Sequence, residues 1–358
     1  MRAGAAWTPG EATGSRMSFE QLKEWVKATL GPDAYGVAVW LYYATIGEVL
    51  AEPRLRAVLI ASTVGVALVF YLVTARQGRS VAGFRRFLLP RHVFLHRSAL
   101  LDYKFFVINQ MVMGHLQLGR WVTGVVGLLA VSHLTGSLLT LVFGARPVAS
   151  APSWPALIGF TAVSLLAWDF GKYVAHYLTH KVAVLWEFHK VHHAAEVLTP
   201  ISAFRAHPVD IMIDFFFRLL CTGLVGGVYA HLYPSGIAEL TILGFNAVAF
   251  VIYYWIAHLQ HSHIQLGYGR LSYLLVSPVM HQVHHSCEVQ HWDRNFGFLF
   301  GIWDWMFGTL HVPRKGEQFR LGLPSGAAQY QTVRQLYLTP FVGVARKLAA
   351  RRSTAPSS

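Results

Sequence analysis

Cysteine is almost absent: Cys221 and Cys287 are the only two in 358 residues, and neither sits in a C-x-x-C pair. That excludes a disulfide framework, structural zinc on thiolates and an iron–sulfur cluster. Charge is also scarce. Charged residues make up 13% of the chain, roughly half the share of a soluble domain. No apolar h-region lies in the first thirty residues, so the start does not read as a signal peptide. No Gly-x-Gly-x-x-Gly follows a strand pattern, no haem-attachment motif occurs and no internal repeat is found. A cofactor site for electron carriage is therefore not expected on this chain.

What is present is apolar surface and histidine. Hydrophobic residues reach 54%, and the 19 histidines outnumber the 17 acidic residues. The net charge of +13 comes from basic residues flanking apolar runs without a nucleic-acid signature, which fits anionic lipid headgroups and not nucleic acid.

Along the chain, Ser18 and Gln21 open a short amphipathic helix over Phe19 to Leu30, and Tyr35 to Leu50 is apolar and interfacial in character. Ala57 to Ala75 is a clean span bracketed by Arg54, Arg56 and Arg76. Arg76 to Lys104 is basic, which places it in the cytoplasm. Phe105 to Gly144 is too long for one span. Its first part reads as interfacial and Trp121 to Phe143 as one crossing, with two crossings as the other option. Pro155 to about Tyr173 is the next apolar helix and runs into histidines. Ile211 to Ala230 and Gly236 to Ala257 form a hairpin around Tyr233-Pro234-Ser235-Gly236, so the histidines before and after it share one membrane face. From about Leu348 the end is small, polar and basic, as in a disordered tail.

The fold expected is an all-α integral membrane protein. About four transmembrane helices would carry a helical cytosolic cap that holds a histidine-rich dimetal site. The segments are 1–52, accessory and interfacial; 53–312, membrane-embedded and catalytic; and 313–358, a basic, partly disordered tail.

Three clusters carry the chemistry: His176-x-x-x-His180, His189-x-x-His192-His193 and His281-x-x-His284-His285. Residues three and four apart share a helix face, so each cluster aims two or three imidazoles at one point. Eight such ligands from three segments exceed the need of one metal and suit two transition ions such as iron, zinc or copper. Past the hairpin, His261 and His263 are also candidate ligands, with His258, His207 and His291 as further candidates. One i,i+4 histidine pair alone is more often structural; the doublet H-x-x-H-H occurring twice is not. His92, His96, His115, His133, His231 and His311 stand isolated and read as structural or interfacial.

The three boxes, their order and their spacing resemble the fatty acid hydroxylase / sterol desaturase superfamily of membrane di-iron enzymes. The resemblance runs from about Ser98 to His311 and includes Arg205-Ala206-His207-Pro208, Asp293-Arg294-Asn295-Phe296-Gly297 and Trp303-Asp304-Trp305-Met306-Phe307-Gly308-Thr309. It implies that the eight box histidines are iron ligands, with the remaining ligands drawn from His258 to His263. It further implies an O2-dependent monooxygenase or desaturase with two irons, acting on an unactivated C–H bond of a membrane lipid such as a sterol, fatty acyl or alkyl lipid. Electrons would come from an external carrier (ferredoxin, rubredoxin or cytochrome b5-like) with its reductase. The setting would be multi-pass, with the site facing the cytoplasm of a bacterial inner membrane. No catalytic residue beyond the metal site stands out. Asp169, Glu187, Glu196, Asp210 and Asp293 are candidates to orient the imidazoles, and Lys181, Lys190 and Arg205 suggest a basic docking face for an acidic carrier. A membrane metal-binding or transport protein without oxygenase activity is the alternative, although transport sites usually lie near the midplane of spans. A b-type haem protein needs single facing histidines, and a zinc hydrolase needs about three ligands and a glutamate.

Overall fold

The computed structural model describes residues 53–75, 79–146, 153–233, 259–314 and 316–353. The amphipathic N-terminal helix, the second arm of the hairpin and His258 lie outside the described residues. Among the described residues the chain is mostly helical and forms no strand, only two isolated β-bridges.

Helix α1 covers Pro53–Thr74, where the clean apolar span was expected. Two short helices follow, α2 (Val81–Leu88) and α3 (Arg91–Phe94), through the basic segment. Helix α4 then runs unbroken from Arg97 to Phe143, 47 residues. At 1.5 Å per residue that is about 70 Å, more than twice a hydrocarbon core of roughly 30 Å. A single uninterrupted helix cannot turn back, which leaves no hairpin within this segment for two crossings. Helix α5 (Trp154–Lys181) is the next apolar run, and it carries the first histidine box in its last two turns. After Val182, α6 (Ala183–His193) holds the second box. Helix α7 (Pro208–Leu232) starts at His207, whose Nδ1 accepts the Val209 amide while Pro208 occupies the position where no amide is needed. Of the described helices, α5 and α7 are long and apolar enough to cross a membrane.

Helix α7 packs against both α4 and α5. The approach to α5 is closest at Gly171, where an added Cβ would stand 2.6 Å from the Phe217 carbonyl oxygen and 2.7 Å from Arg218 Cα. Several charged groups on these helices are partnered. Arg218 reaches Asp214 at 3.0 Å and lays its guanidinium over the Trp168 ring at 3.6 Å, and Lys172 reaches Asp214 at 3.3 Å.

The remaining elements form a cap of short pieces: α8 (Pro278–His284), α9 (Ile302–Met306) and α10 (Val333–Ser353). Leu101, Phe105, Val191, Ala194, Ala327, Tyr330 and Leu336 make one buried cluster that joins the start of α4, the end of α6 and α10. Each large side chain fully buried there contributes about 1.5–3 kcal/mol. Helix α10 corrects the expectation of a disordered end from Leu348, because the helix continues to Ser353. Its composition is polar and basic, and a buried patch around Leu336 is what fixes it in place. The stretch after 312 is thus packed on the histidine cap.

At the centre of the cap Arg205 is 1% exposed and pairs with Asp102 at 2.8 Å. It also donates to the Val191 and Tyr330 carbonyls at 2.9 and 3.3 Å. Arg205 is therefore a buried clasp between four segments, which removes it from the basic docking face; Lys181 pairs with Asp293 and Lys190 with Glu187. Losing one partner of a buried pair leaves an uncompensated charge. Arg205→Met is expected to cost about 3–5 kcal/mol, read as a lowered thermal midpoint in detergent, with partial recovery when Asp102→Leu is added.

Candidate metal centre

The boxes fold onto one another because each rides on a short rigid piece. His176 and His180 lie on α5, His189, His192 and His193 on α6, and His281 and His284 on α8 with His285 as its C-cap. Gln282, inside the third box, donates to the Ser262 and Ile264 carbonyls at 2.8 and 2.9 Å, which ties α8 to the segment after the hairpin. That contact brings His261 in.

Nine histidines gather in two groups. His176, His180, His189, His193 and His284 have ligand atoms all within 4.8 Å of one another, and so do His192, His261, His281 and His285. The groups adjoin, with the His193 and His285 rings stacked at 4.6 Å between centroids. The histidines before Ile211 and after Ala257 meet: His192 and His261 approach at 3.2 Å through their Nε2 atoms.

Orientation tells what the rings can do. The Nδ1 atoms of His176, His192 and His284 donate to the carbonyls of Phe296, Arg205 and Arg294 at 2.8, 3.2 and 2.7 Å. His189 places Nδ1 3.0 and 3.1 Å from the two oxygens of Asp210. A carbonyl oxygen only accepts, so these rings carry their proton on Nδ1 and turn a lone pair inward on Nε2. The Nε2 atoms of His176, His189 and His284 are buried with no partner among the described residues. In the second group Nε2 atoms face each other at 2.9 Å (His281 and His261) and 3.2 Å (His285 and His281). Two ligand nitrogens about 2.0–2.1 Å from one metal stand roughly 3 Å apart. Converging lone pairs repel unless a cation lies between them.

Burial also keeps the rings neutral. It holds the imidazoles of His192, His193, His281 and His285 well below the usual range, helped by the neighbouring histidines. His284 is pushed down to about 3, again chiefly by burial. Neutral imidazole is the form that binds metal. An all-imidazole donor set of five and four fits two transition ions.

His263 stands outside both groups. Its Nε2 donates to the Phe87 carbonyl at 2.7 Å, and its ring sits against Phe87 and Phe94. A two-residue step from His261 in a non-helical turn points the side chain away, which corrects its placement among the candidate ligands. His207 is spent as the α7 cap, with Nε2 on the Tyr337 carbonyl at 3.2 Å. His291 lies away from the nine, beside His311 and Glu317. Among the carboxylates, Asp210 takes the orienting role. Asp293 lies 3.8 Å from His180 Nδ1 and pairs with Lys181. Asp169, although on the His176 side of α5, accepts the Leu299 and Phe300 amides and the Trp303 indole instead. Glu187 binds Lys190 and Lys347, and Glu196 binds Arg97.

The acceptors that fix the rings are mostly backbone carbonyls, which no residue pattern announces. One signal existed. Asp293 and Asn295 adopt positive φ of 58° and 59°, conformations that Asn and Asp tolerate best among non-glycine residues. They shape the Asp293–Gly297 loop, and Asn295 then bonds the Met280 and His311 carbonyls. A cavity of about 1230 Å³ reaches the five-histidine group at His180, His193 and His284, with Trp186, Tyr330 and Arg334 among its walls.

Residues 161–309 match the fatty acid hydroxylase family. The match begins later than the Ser98 suggested by motif reading and takes in all three boxes. The chain is 30% identical over 177 residues to the ornithine lipid hydroxylase OlsE of Rhizobium tropici, covering 49% of each protein. It is 28% identical over 162 residues to the alkylglycerol monooxygenase of Homo sapiens, covering 45% of this chain and 33% of that one. It is 26% identical over 165 residues to the Delta(7)-sterol-C5(6)-desaturase of Nicotiana tabacum, covering 45% and 52%. The chain thus spans about half or less of the length of these relatives. No solved structure matches it.

Within the matched segment, geometry separates two neighbouring histidines. His261→Ala is expected to lower bound metal in the purified protein, while His263→Ala leaves it unchanged; elemental analysis per chain decides. Asp210→Ala is expected to weaken metal affinity by about 10–100-fold, the usual effect of removing a ligand's orienting partner.

Proposed function

We propose that this chain is an O2-dependent, non-haem di-iron oxidoreductase that hydroxylates or desaturates an unactivated C–H bond of a membrane lipid. The observation that carries the reading is the convergence of nine histidines, nearly all of them buried, into two adjoining groups. The relatives' names (a lipid hydroxylase, an alkylglycerol monooxygenase, a sterol desaturase) place lipid oxidation first among the chemistries such a site serves. The eight box histidines and His261 would hold two irons. When bound, iron supplies O2 activation and one-electron chemistry.

The chain's own part is positioning and exclusion. Asp210 and the Phe296, Arg205 and Arg294 carbonyls hold the rings by Nδ1. Phe296 lies edge-on to His176, His180 and His284, and Trp186 lies against His180 and His193. These apolar faces keep water off the ligands, as an oxidising site requires.

The setting proposed is a multi-pass membrane protein of about four spans with the histidine cap on the cytoplasmic side, where the basic segment of 76–104 lies. Residues 53–312 form the catalytic domain, with the helix to Ser353 packed on it. Reducing equivalents come from an external ferredoxin, rubredoxin or cytochrome b5-like carrier.

The test is lipid mass spectrometry on cells making the intact chain or its His284→Ala variant. A lipid that gains one oxygen or loses two hydrogens only with the intact chain is expected. An unchanged lipid profile from iron-loaded protein supplied with a reductant and mixed membrane lipids would falsify the reading.

A further inference from the structure

Outside the nine-histidine cluster, a smaller convergence of ligand atoms occurs where the strap that follows the Trp303–Thr309 motif meets the turn at His291. His291, His311 and Glu317 offer ligand atoms within 4.8 Å of one another. We propose that these three residues form a separate metal site, for a divalent transition ion such as zinc, that pins the strap over the third histidine box.

Three observations carry this. Both histidines aim the same atom at the same oxygen: His291 Nε2 and His311 Nε2 stand 2.8 and 3.2 Å from Glu317 Oε1. Ligands about 2.0–2.2 Å from one zinc ion lie roughly 3 Å apart, and the separations repeat those between nitrogens in the larger cluster. Next, the outer atoms are held as metal ligands usually are. His291 Nδ1 lies 2.9 Å from Ser286 Oγ, and the Arg314 amide donates to Glu317 Oε2 at 2.8 Å, which leaves Oε1 presented inward. Ser286 Oγ can accept the His291 Nδ1 proton, the tautomer in which Nε2 would offer a lone pair to an ion held between it and Glu317 Oε1. Finally, the site is reachable. His291 is 1% exposed, whereas the side chains of His311 and Glu317 are 29% and 21% exposed. An ion can enter from that side and keep water as a fourth ligand, the open arrangement of two histidines and a glutamate.

The position gives the ion a consequence. Ser286, which orients His291, directly follows His285 of the third box. The same strap returns to that box through the Cys287 amide on the Arg320 carbonyl at 2.9 Å and the Gly322 amide on the His285 carbonyl at 3.2 Å. Residues from Gly322 onward then line the cavity that reaches the dimetal site. The ion would close the strap into a loop joined at 291, 311 and 317, and so hold the cavity wall in register with the histidines.

Cobalt(II) offered to the purified full-length chain tests the site by total metal count and by visible ligand-field absorption. Wild type is expected to hold one more ion per chain than Glu317→Gln or His311→Ala, with the visible band lost in both variants. Glutamine preserves hydrogen bonding to the imidazoles but is a poor metal ligand, so Glu317→Gln keeps the strap folded if the cluster is only hydrogen-bonded. Equal metal counts and equal spectra in wild type and Glu317→Gln overturn the proposal. His284→Ala, which alters the large cluster, is expected to leave the one-ion difference intact, so the result stands apart from the reading of the histidine boxes.

Discussion

The arrangement of this protein depends on lone pairs that have nowhere to go. Imidazoles whose Nδ1 protons are committed to the Phe296, Arg205 and Arg294 carbonyls and to Asp210 must turn their Nε2 lone pairs towards one another. With lone pairs facing one another, such a set is repulsive until a cation enters. The surrounding structure has to supply the force that holds it together. Apolar packing does this around Val191, Phe105 and Leu336, and so does the Arg205–Asp102 pair beneath the second box. A preformed site of this kind gains affinity because its reorganisation is complete before the metal arrives.

Long helices and short pieces divide the labour. The apolar helices α5 and α7, each long enough to cross a membrane, provide rigid rods, with a close approach at Gly171 that leaves no room for a side chain. Since α5 runs directly into the first box, its last turns carry the geometry of that rod into the site. The cap is made of short pieces that could not stand alone, each tied to the next by side-chain-to-backbone bonds such as those of Gln282 and Asn295. Asp304, which accepts the Phe296 and Gly297 amides and the Thr309 hydroxyl, is pushed up to about 6 by burial. It shapes the turn from which Phe296 presents its carbonyl to His176.

The cavity above the five-histidine group joins the two halves. Its walls come from α6, from the strap after 312 and from α10. The C-terminal region that reads as a tail is therefore a wall of the site, and the chemistry proposed for the site depends on residues whose sequence carries no chemical signature.

The sequence alone determined that the chain is helical and rich in apolar spans, that the three histidine boxes belong together, and that the segment after Ala257 could add a ligand. Spacing on a helix and the return of a hairpin are local rules, and local rules are legible in one dimension. Tertiary structure decided the rest. His261 and His263 look equivalent in sequence, and only the direction of a non-helical turn separates them. Arg205 reads as a surface charge until Asp102, a hundred residues away, is brought against it. Asp169 and Asp210 look alike as orienting carboxylates, but only Asp210 meets an imidazole. His311 appears isolated, and His291 reads only as a further candidate for the box site, because their partner, Glu317, arrives on a strap whose path is set by backbone bonds to the third box. Contacts between distant segments depend on how the elements pack, and packing has no period that a sequence can display.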